Sequence, residues 1–592
     1  MSRDIAEILS RQRLFQDMSG RLLNKLAATV QLVDLRSGGI LFDVGSPPDA
    51  LYVVVTGRLR CDLGRGRHSE LGMGESVGEL GVLADEPQLY RVVALRDSQL
   101  MRIERNALLR TLMRHPESLL RLGRMEFQRL RSHGTAESEG QRGRISSLAV
   151  LETRPGRGAR EAVRRLASAL ARFGSVRVID ESAVNQALGD GAAAMPYARN
   201  QDNRDLVHWL NEVEAQEDFL IYTAAHQAPT WWRRCLRQAD HVLLAADIDD
   251  QAQLDLPLLE ELRLQRLQVP VSMLLRRGPK SLRGDPIAWQ ANGDIDDQFF
   301  WRSGEDEDIL SIARQLTQKA NGLVLGGGGA RGFAHIGLIR ALDELGIPVD
   351  LCGGSSMGAM IAALRANGLS AVEIVREMRA SFVEHNFLND YTLPRVALIR
   401  GQRFLRRMHE VFGDQRIEDL PVPYFCVSTN LTKGTCEVHR SGSLATWVST
   451  SMAVPGVAPP VAWRGDFLAD GAVINSLPTD VMREMGRGPV IGSSVSTEGM
   501  IAAPGIEGPD PAALLNWTSE AEKPSLFDIL FRTATLTSES GNARRAELAD
   551  VYFRMPVSHV GMFQWDAIDQ VVRAGYEHAM QTLPQWRDQL GG

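Results

Sequence analysis

The sequence predicts an α/β protein with a small all-β roll in its N-terminal part, and three observations support this fold class. A buried-strand pattern at residues 323–325 runs into four consecutive glycines and then into a helical pattern. A second short strand, residues 349–352, enters a Gly-Ser-Ser-Met-Gly turn at residues 354–358 before another helical pattern begins. Upstream of both, apolar runs alternate with segments of helical periodicity, which is typical of a parallel sheet.

The first part of the chain has the order helix, strands, helix. Apolar residues recur at helical spacing over residues 1 to about 30, and short β-rich runs between glycines follow at residues 38–59. A helical pattern returns at residues 104–132. Short strands separated by glycines predict a small barrel or jelly roll, so we assign residues 1–132 to one domain. Residues 133–144 are polar and glycine-rich, which is the composition of a linker.

Residues 145–318 predict a second domain, in which strands and helices alternate. The predicted strands are residues 147–151, 176–179, 219–222, 241–245 and 269–275, with helices such as 159–173 and 206–215 between them. The first strand ends in an arginine- and glycine-rich segment without the lysine and Ser/Thr that a phosphate loop needs. We interpret this domain as a degenerate nucleotide-binding-like fold. Its adjacent Trp231 and Trp232 suit a membrane contact or a half-buried helix face, and we favour the helix face.

The serine turn has the chemistry of an acyl-transfer site. A serine between glycines on a sharp strand-to-helix corner presents its hydroxyl at a helix N-terminus, where free N–H groups and the helix dipole favour negative charge. The glycine-rich turn upstream adds N–H groups that no side chain obstructs. We therefore predict Ser356 as a nucleophile, with the N–H groups of Gly327, Gly328 and Met357 as donors to the oxyanion.

The same glycines also fit a different function. Residues 327–332 match the G-x-G-x-x-G spacing of dinucleotide-binding loops, and Asp350 lies in the next strand. A nicotinamide-binding domain does not require a serine turn at the end of that strand. We therefore favour acyl transfer over a nicotinamide oxidoreductase.

A nucleophilic serine needs a base, for which Asp470 is the candidate. It follows the strand-like run 466–469 and precedes Gly471, so it can reach Ser356 if its strand neighbours the serine strand. The alternative is an ordinary turn aspartate before a glycine.

Histidine is the usual proton acceptor for a serine, but no histidine of this sequence lies in a comparable glycine-flanked turn. His335 comes early in the helix after the glycine loop, which suggests a structural or packing group. His439 and His559 lie in strand-end or loop patterns. The sequence therefore predicts a serine–aspartate pair.

The glycine run, the serine turn and the Asp-Gly-Ala of residues 470–472, in this order, resemble the patatin-like phospholipase family. Similar segments are 451–460 before the aspartate, 475–478 after it, and 428–430, which resembles the middle strand of the bacterial neuropathy-target-esterase branch. The resemblance implies a doubly wound α/β fold for residues 319–592 and a Ser356–Asp470 dyad without histidine. It also implies phospholipid or lysophospholipid substrates and no metal or cofactor. The implied oxyanion hole comprises Gly326, Gly327, Gly328 and Gly329. Arg331 in this turn either anchors carbonyl groups or meets a phosphate, and we favour anchoring.

The N-terminal segment resembles the cyclic-nucleotide-binding domain. The similarity lies in its helix–roll–helix order and in the spacing of Gly45, Asp49, Tyr52 and Gly57. It implies a phosphate cassette in which Gly78, Glu79 and Leu80 begin a short helix, with Glu79 accepting a ribose hydroxyl; without a ligand, Glu79 is a turn residue at a helix N-terminus. The family's arginine after the cassette proline is replaced by Gln88, and the nearest arginine is Arg91. Because the charge-assisted contact is lost, we favour a scaffold or an altered ligand over a cyclic-nucleotide switch.

The composition is that of an ordinary soluble globular chain. Of 592 residues, 44% are hydrophobic and 23% are charged, and the net charge of −7 argues against nucleic acid as the main partner. Five scattered cysteines without a C-x-x-C pair are expected to be free thiols in a reducing compartment. The sequence shows no secretory signal and no run of about 18 apolar residues. We expect a cytoplasmic protein that can contact the inner face of a membrane peripherally.

These patterns lead to one functional expectation and one alternative. We expect a serine lipid hydrolase that cleaves carboxyl esters through Ser356 and Asp470, with the N-terminal domain as a regulator. The alternative is a nucleotide-responsive signalling scaffold whose hydrolase domain is silent. Residues 499–525 contain several prolines and glycines and predict a mobile lid over the acyl site.

Overall fold

The fold divides into two compact units, Met1–Ala313 and Arg314–Gly592, in this computed structural model. The structure describes all residues except 1–5, 7–8, 11–14, 16–17, 65–66, 73, 114–144, 155–158, 196–200, 225–228, 251–261, 263–268, 279–287, 290–294, 386–388, 394–395, 497–511, 513–525 and 592. Within the described ranges, no helix combines the length and the apolar character needed to cross a membrane. All five cysteines are free thiols, and four of them are buried.

The first unit begins with a roll of two four-stranded sheets, of order β1-β8-β3-β6 and β2-β7-β4-β5. The strands are β1 (Gln31–Leu35), β2 (Ile40–Phe42), β3 (Ala50–Thr56), β4 (Leu59–Gly64), β5 (Arg67–Leu71), β6 (Ser76–Val77), β7 (Arg91–Ala94) and β8 (Ser98–Glu104). The accompanying helices are Gly20–Ala27, Glu79–Ala84 and Arg105–Leu112. The apolar strand β3 is almost wholly buried because β8 and β6 pair with its two edges. The predicted β-roll is confirmed.

The second part of this unit is a six-stranded parallel sheet of order β10-β11-β9-β12-β13-β14. The strands are β9 (Ser147–Glu152), β10 (Val176–Ile179), β11 (Phe219–Thr223), β12 (His241–Asp247), β13 (Val271–Arg277) and β14 (Asp297–Arg302). The helices are Ala159–Leu170, Glu181–Leu188, Gln201–Gln216, Pro229–Gln238 and Asp306–Leu316, the last of which contains the boundary between the two units. The predicted parallel sheet is present. Strand β14 was not predicted, because polar residues at both of its ends leave only a short apolar run between them.

The paired tryptophans belong to the core of this sheet domain. Trp231 is 1% exposed, and its indole N–H donates to the carbonyl oxygen of Thr223 at 3.0 Å. Trp232 packs half-buried against the same core. The structure therefore agrees with the interpretation of this pair as a helix face.

A buried ion cluster joins the roll to the parallel sheet within the first unit. Arg96 pairs with Glu214 and, through Nε at 2.7 Å, with Asp240, while Arg58 lies 3.3 Å from the same aspartate. All four side chains are at most 7% exposed. Burial alone would raise the pKa of Asp240, but the two nearby guanidinium groups lower that pKa to about 2.

The second unit is built on a mixed eight-stranded sheet of order β19-β20-β17-β16-β15-β21-β22, with β18 paired to β17. The strands are β15 (Gly322–Leu325), β16 (Leu351–Gly354), β17 (Tyr424–Asn430), β18 (Thr435–His439), β19 (Val461–Trp463), β20 (Asp466–Asp470), β21 (Val490–Ser494) and β22 (Val551–Arg554). The helices are Ala334–Leu345, Met357–Ala366, Ala371–Met378, Gln402–Phe412, Leu444–Ser451, Thr479–Met485, Leu526–Glu547, Ile568–Thr582 and Arg587–Leu590.

This sheet has an apolar core on each face. Leu323 and Leu325 of β15 belong to one core, and Val324, which lies between them, belongs to the other. Successive side chains of a strand point to opposite faces, so a strand covered on both sides needs a continuous apolar run. The predicted doubly wound arrangement is confirmed.

The helix after the glycine turn is held by a close helix crossing. A Cβ atom at Gly337 would lie 2.2 Å from the carbonyl oxygen of Val572, and one at Gly575 would lie 2.1 Å from that of Ala334. Only glycine leaves room for two backbones at this distance. The helices Ala334–Leu345 and Ile568–Thr582 therefore pack backbone to backbone.

Candidate active site

Ser356 occupies the corner between β16 and the helix Met357–Ala366, with φ of 53° and ψ of −125°. Residues other than glycine rarely adopt a positive φ, so this corner stores backbone strain. Glycine at position 358 makes the corner feasible, because a Cβ atom there would lie 2.1 Å from the carbonyl oxygen of Leu325. The Ser356 side chain is thus held at the start of a helix by its backbone.

Asp470 lies at the end of β20 and contacts Ser356 directly. Its Oδ2 atom accepts a hydrogen bond from the serine Oγ at 2.6 Å, and its Oδ1 accepts one from the Ala472 N–H at 2.8 Å. The carboxyl group is fully buried. Burial raises the pKa of Asp470 to about 7, although the hydrogen bonds from Ser356 and Ala472 act in the opposite direction. A proton acceptor works best with a pKa near the working pH.

The strand register explains how residues 114 positions apart meet. In the parallel pair β16–β17, Gly354 lies beside Cys426. Ser356 is two residues beyond Gly354, and Ser428, two residues beyond Cys426, pairs with Asp470 of the antiparallel strand β20. Nucleophile and carboxylate therefore lie level on either side of β17. The sequence allowed this contact on the condition that the two strands are neighbours; in the fold β17 lies between them, and the side chains still meet.

Two of the expected oxyanion donors are already engaged. The N–H of Gly326 donates to the carbonyl oxygen of Ser493 at 2.9 Å, and the N–H of Gly327 donates to that of Ser476 at 2.9 Å. These hydrogen bonds connect the start of the glycine turn to Ser493 and Ser476. In this conformation neither N–H is available to a substrate.

Gly328, Gly329 and Met357 are the other expected donors, and the glycine turn lies close to the nucleophile. A Cβ atom at Gly327 would lie 3.1 Å from the Cβ of Ser356, so the glycine turn passes directly beside the serine. Within the described residues, no group accepts a hydrogen bond from the N–H of Gly328, Gly329 or Met357. Met357 is the first residue of its helix, where N–H groups have no acceptor within the helix.

His335 contacts the glycine turn from inside the fold. Its Nε2 lies 2.9 Å from the carbonyl oxygen of Gly326, and its Nδ1 lies 2.9 Å from the Oγ of Ser493. A carbonyl oxygen only accepts, so Nε2 carries the hydrogen and Nδ1 accepts one from the serine. Burial lowers the pKa of His335 to about 4, which keeps the ring neutral at pH 7. The sequence suggested a packing group, and the structure adds these two polar contacts.

The other end of the glycine turn is tied to residues 560–562. The Nε of Arg331 donates to the carbonyl oxygen of Val560 at 2.8 Å, and the N–H of Ala330 donates to that of Met562 at 2.8 Å. This contact is of the anchoring kind that we favoured for Arg331. Both ends of the turn are therefore fixed by hydrogen bonds.

Asp350, the acidic residue of the dinucleotide alternative, is engaged elsewhere. Its carboxylate forms a bidentate ion pair with Arg314, with Nη2 at 2.7 Å, and also accepts the N–H of Asn321 at 3.0 Å. The side chain is 1% exposed. A carboxylate saturated in this way cannot bind a ribose hydroxyl, which argues against the nicotinamide alternative.

The predicted nucleotide cassette has a different lining from the one its resemblance implies. Gly78 has a φ of 92° and precedes the short helix Glu79–Ala84, which contains Leu80; Glu79 is fully buried. The amide nitrogen of Gln88 lies 3.5 Å from a Cβ atom built at Gly78, and the Gln88 side chain is buried. Arg91 is 45% exposed, with its Nε 3.9 Å from a carboxylate oxygen of Asp43. A buried amide, rather than a guanidinium, therefore packs against the cassette.

Sequence reasoning missed two residues that hold the dyad in place. The Oγ of Ser451 accepts the Ser356 N–H at 3.0 Å, and the carbonyl oxygen of Ala453 accepts the Asp470 N–H at 2.9 Å. Both belong to the segment 451–460, whose similarity to the patatin-like family was the available signal. The predicted lid, residues 499–525, lies outside the described residues apart from residue 512.

Three family models match successive parts of the chain. Residues 32–115 match the cyclic nucleotide-binding domain, and residues 144–264 match the Neuropathy Target Esterase family P-loop like domain. Residues 323–483, which include Ser356 and Asp470, match the patatin-like phospholipase model.

Curated relatives match nearly the whole chain. Patatin-like phospholipase domain-containing protein 6 of Pongo abelii is 29% identical over 619 residues, covering 93% of this chain and 44% of the relative. Lysophospholipase nte1 of Neurospora crassa is 26% identical over 667 residues, covering 98% of this chain and 44% of the relative. The chain thus spans less than half the length of these relatives.

Among solved structures, the sensor domain of the transcriptional regulator DNR from Pseudomonas aeruginosa is similar to part of this chain. The match has 25% sequence identity and a TM-score of 0.21, and it covers 22% of this chain and 92% of the other. The three family models thus match the chain in the order cyclic nucleotide-binding domain, Neuropathy Target Esterase family P-loop like domain and patatin-like phospholipase, and the curated relatives are similar to the chain along 93–98% of its length.

Proposed function

We propose that this chain is a serine lipid hydrolase, a phospholipase or lysophospholipase, that cleaves carboxyl esters through Ser356 and Asp470. The observation that carries the proposal is the 2.6 Å hydrogen bond between the Ser356 Oγ and the Asp470 Oδ2 at a strained strand-to-helix corner. A serine within hydrogen-bond distance of a proton acceptor can act as a nucleophile. The names of the relatives, lysophospholipase and patatin-like phospholipase, support the substrate class.

In the first step, Asp470 accepts the hydroxyl proton of Ser356 while the Oγ attacks the carbonyl carbon of the ester. Negative charge develops on the carbonyl oxygen, to which the N–H groups of Gly328, Gly329 and Met357 donate. The tetrahedral intermediate then collapses as the bond to the leaving alcohol breaks. The alcohol takes the proton from Asp470, and the acyl group remains on Ser356.

In the second step, water attacks the acyl group and Asp470 accepts the water proton. The same three N–H groups stabilise the second oxyanion. Asp470 returns the proton to the Ser356 Oγ as the fatty acid leaves, which restores the free enzyme. A pKa of about 7 suits a group that accepts and donates a proton in turn near neutral pH. No step of this scheme requires a metal ion.

A serine-reactive fluorophosphonate probe tests the proposal. We expect covalent labelling of the wild-type chain and none of Ser356→Ala, with lysophospholipid hydrolysis reduced about 1,000-fold or more in that variant. Ser355→Ala, at the adjacent buried serine, is the matched control and should keep its labelling. An unlabelled wild-type chain would instead favour the silent scaffold.

We also propose that the N-terminal domain regulates the hydrolase. The match of residues 32–115 to the cyclic nucleotide-binding model supports a ligand-responsive domain, while the buried Gln88 at the cassette disfavours an ordinary cyclic nucleotide. Calorimetric titration with cyclic AMP and cyclic GMP tests whether the cassette binds an ordinary cyclic nucleotide. We expect no heat from the wild-type chain and measurable binding by Gln88→Arg, which restores the charged contact. Binding by the wild-type chain would show that the amide suffices.

A further inference from the structure

Two adjoining β-turns expose large apolar side chains at one edge of the catalytic sheet. One turn, residues 431–434, joins β17 to β18, and the other, Arg464 and Gly465, joins β19 to β20. The exposed fractions are 47% for Leu431, 45% for Trp463 and 54% for Phe467. We call these three residues, together with Lys433 and Arg464, the hairpin tip.

Backbone hydrogen bonds join the two turns of the hairpin tip, while Trp463, paired with Asp466, and Phe467, paired with Ala462, lie on opposite faces of the β19–β20 hairpin. The N–H of Leu431 donates to the carbonyl oxygen of Phe467 at 2.8 Å, and the N–H of Phe467 donates to the Oγ1 of Thr432 at 3.0 Å. The second turn is a tight two-residue connection, in which Arg464 and Gly465 have φ values of 50° and 88°. The apolar side chains are therefore held in place by backbone contacts between the two turns.

The register places the hairpin tip beyond the active site. Ser428 of β17 pairs with Asp470 and lies level with Ser356. Leu431 lies three residues further along the chain than Ser428, and Phe467 lies three residues before Asp470. At about 3.3 Å per residue, the tip extends roughly 10 Å past the dyad. It extends from the edge where β16 ends and the nucleophile turn begins.

The composition of the hairpin tip suits the boundary between water and lipid. Trp463 packs edge-on against Trp447 at 5.2 Å, and the guanidinium of Arg464 lies 5.0 Å from the centre of the Trp463 ring. The Lys433 Nζ lies 2.6 Å from the Asp466 carboxylate, so that negative charge is compensated. Tryptophan beside a cation, with aliphatic and aromatic neighbours, is typical of side chains at membrane interfaces.

We propose that the hairpin tip docks onto the surface of a phospholipid bilayer. Leu431, Trp463 and Phe467 enter the interfacial layer, and Arg464 meets lipid phosphates. Docking holds Ser356 close to the lipid headgroups, so that an ester needs only partial withdrawal to reach it. The inference deepens the proposed lipid hydrolysis and rests on it for its purpose, but the docking itself is measurable without catalysis.

Vesicle sedimentation in the Ser356→Ala background, which hydrolyses no lipid, tests the docking. We expect the full-length chain to bind vesicles of phosphatidylcholine with phosphatidylglycerol. Replacing Leu431, Trp463 and Phe467 by serine should weaken binding by at least about tenfold, because three apolar side chains no longer leave water. Val372→Ser is the matched control, since Val372 is 68% exposed on the helix Ala371–Met378, and vesicle binding by this variant should be unchanged.

A gain-of-binding variant guards against a folding defect in the triple mutant. Leu431→Trp adds a second interfacial indole at an exposed position and should strengthen vesicle binding about two- to fivefold. Arg464→Gln should weaken it by about fivefold, the usual effect of one cation near an anionic surface. Thermal unfolding of each variant should match that of its parent.

The proposal is overturned if the triple variant, folded as its parent, binds vesicles equally well, or if Leu431→Trp leaves binding unchanged. It is also overturned if the triple variant loses self-association rather than vesicle binding, which would assign the tip to a second copy of this chain. Failure of the proposed hydrolysis looks different. In that case the Ser356-containing chain binds vesicles but neither reacts with the fluorophosphonate nor cleaves a soluble short-chain ester.

Discussion

At the scale of single residues, two requirements on the Asp470 carboxyl group oppose each other. In the proposed mechanism it must be ionised to accept the Ser356 proton, yet its full burial favours the neutral acid and raises its pKa from 3.8 to about 7. The hydrogen bonds from the Ser356 hydroxyl and the Ala472 N–H stabilise the ionised form only in part. The ionised form of Asp470, which the proposed mechanism requires, therefore lowers the stability of the fold.

We predict that Asp470→Asn abolishes hydrolysis and raises stability at alkaline pH. Between pH 3.8 and about 7 the folded chain binds more protons at this site than the unfolded chain, so stability falls as pH rises through this window. Asparagine cannot ionise and removes this cost, which is about 2 to 4 kcal/mol above pH 7. Urea unfolding should show the gain at pH 8 and none at pH 4. An equal difference at both pH values would contradict the prediction.

His335 acts on the glycine turn without reaching the dyad in the described contacts. We predict that His335→Ala lowers kcat on a soluble ester about 10- to 100-fold with a smaller change in KM, because the Gly326 carbonyl and the Ser493 hydroxyl lose their partner and the oxyanion donors relax. His335→Gln keeps a donor for the carbonyl and should recover part of kcat. Equal losses in both variants, matched by equal losses of stability, would indicate packing alone.

At the scale of elements, the candidate active site depends on close backbone packing around the glycine turn. The turn runs into the helix Ala334–Leu345, whose glycine crossing with the helix Ile568–Thr582 fixes where that helix lies. Strand β16 and β17 then set the level of the nucleophile and of the carboxylate. Small shifts of these elements would separate the amide donors from Ser356.

We predict that Gly337→Ala destabilises the second unit by about 2 to 4 kcal/mol, because the new methyl group meets the Val572 carbonyl oxygen at 2.2 Å and the helices must separate. Gly561→Ala is the matched control in the same unit, since its nearest neighbour would be 3.7 Å away, and it should be nearly neutral. Chemical denaturation of both variants checks the difference. Similar unfolding midpoints for the two would show that the crossing adapts.

At the scale of the whole molecule, the chain forms two compact units with separate cores. The first unit contains two domains of different architecture, and the ion cluster of Arg58, Arg96, Glu214 and Asp240 joins them. Removing one partner of a buried ion pair leaves an uncompensated charge, which costs more than the pair contributes. The roll and the parallel sheet are thus coupled by charges rather than by an apolar interface alone.

We predict that Arg96→Met destabilises the first unit by about 3 to 5 kcal/mol, because Glu214 and Asp240 lose their shared cation in a buried site. Arg60→Met is the control, since the Arg60–Asp62 pair is 30% and 39% exposed and its loss should cost less than about 1 kcal/mol. Amide hydrogen exchange across Met1–Ala313 reports the change. Equal protection from exchange in both variants would contradict the conclusion that the ion cluster links the two domains.

The sequence by itself determined the local features of this protein. Apolar runs that end in glycines marked β15 and β16, because a strand buried on both faces must be continuously apolar and a sharp turn needs residues without side chains. The same local chemistry marked Ser356 as a nucleophile and left Asp470 as its partner. Strand β14 was not predicted, because the polar residues Asp297, Gln298 and Arg302 interrupt its apolar pattern.

Only the tertiary structure decided which backbone N–H groups are free to bind a substrate and where Ser356 and Asp470 meet. That β17 lies between the two strands of the dyad, and that Ser428 sets its level, depends on strand order and register over more than a hundred residues. The engagement of the Gly326 and Gly327 N–H groups likewise depends on Ser493 and Ser476, which come from distant strands and loops. Hydrogen bonds and burial between segments far apart in the chain carry no local pattern, so they become visible only once the chain is folded.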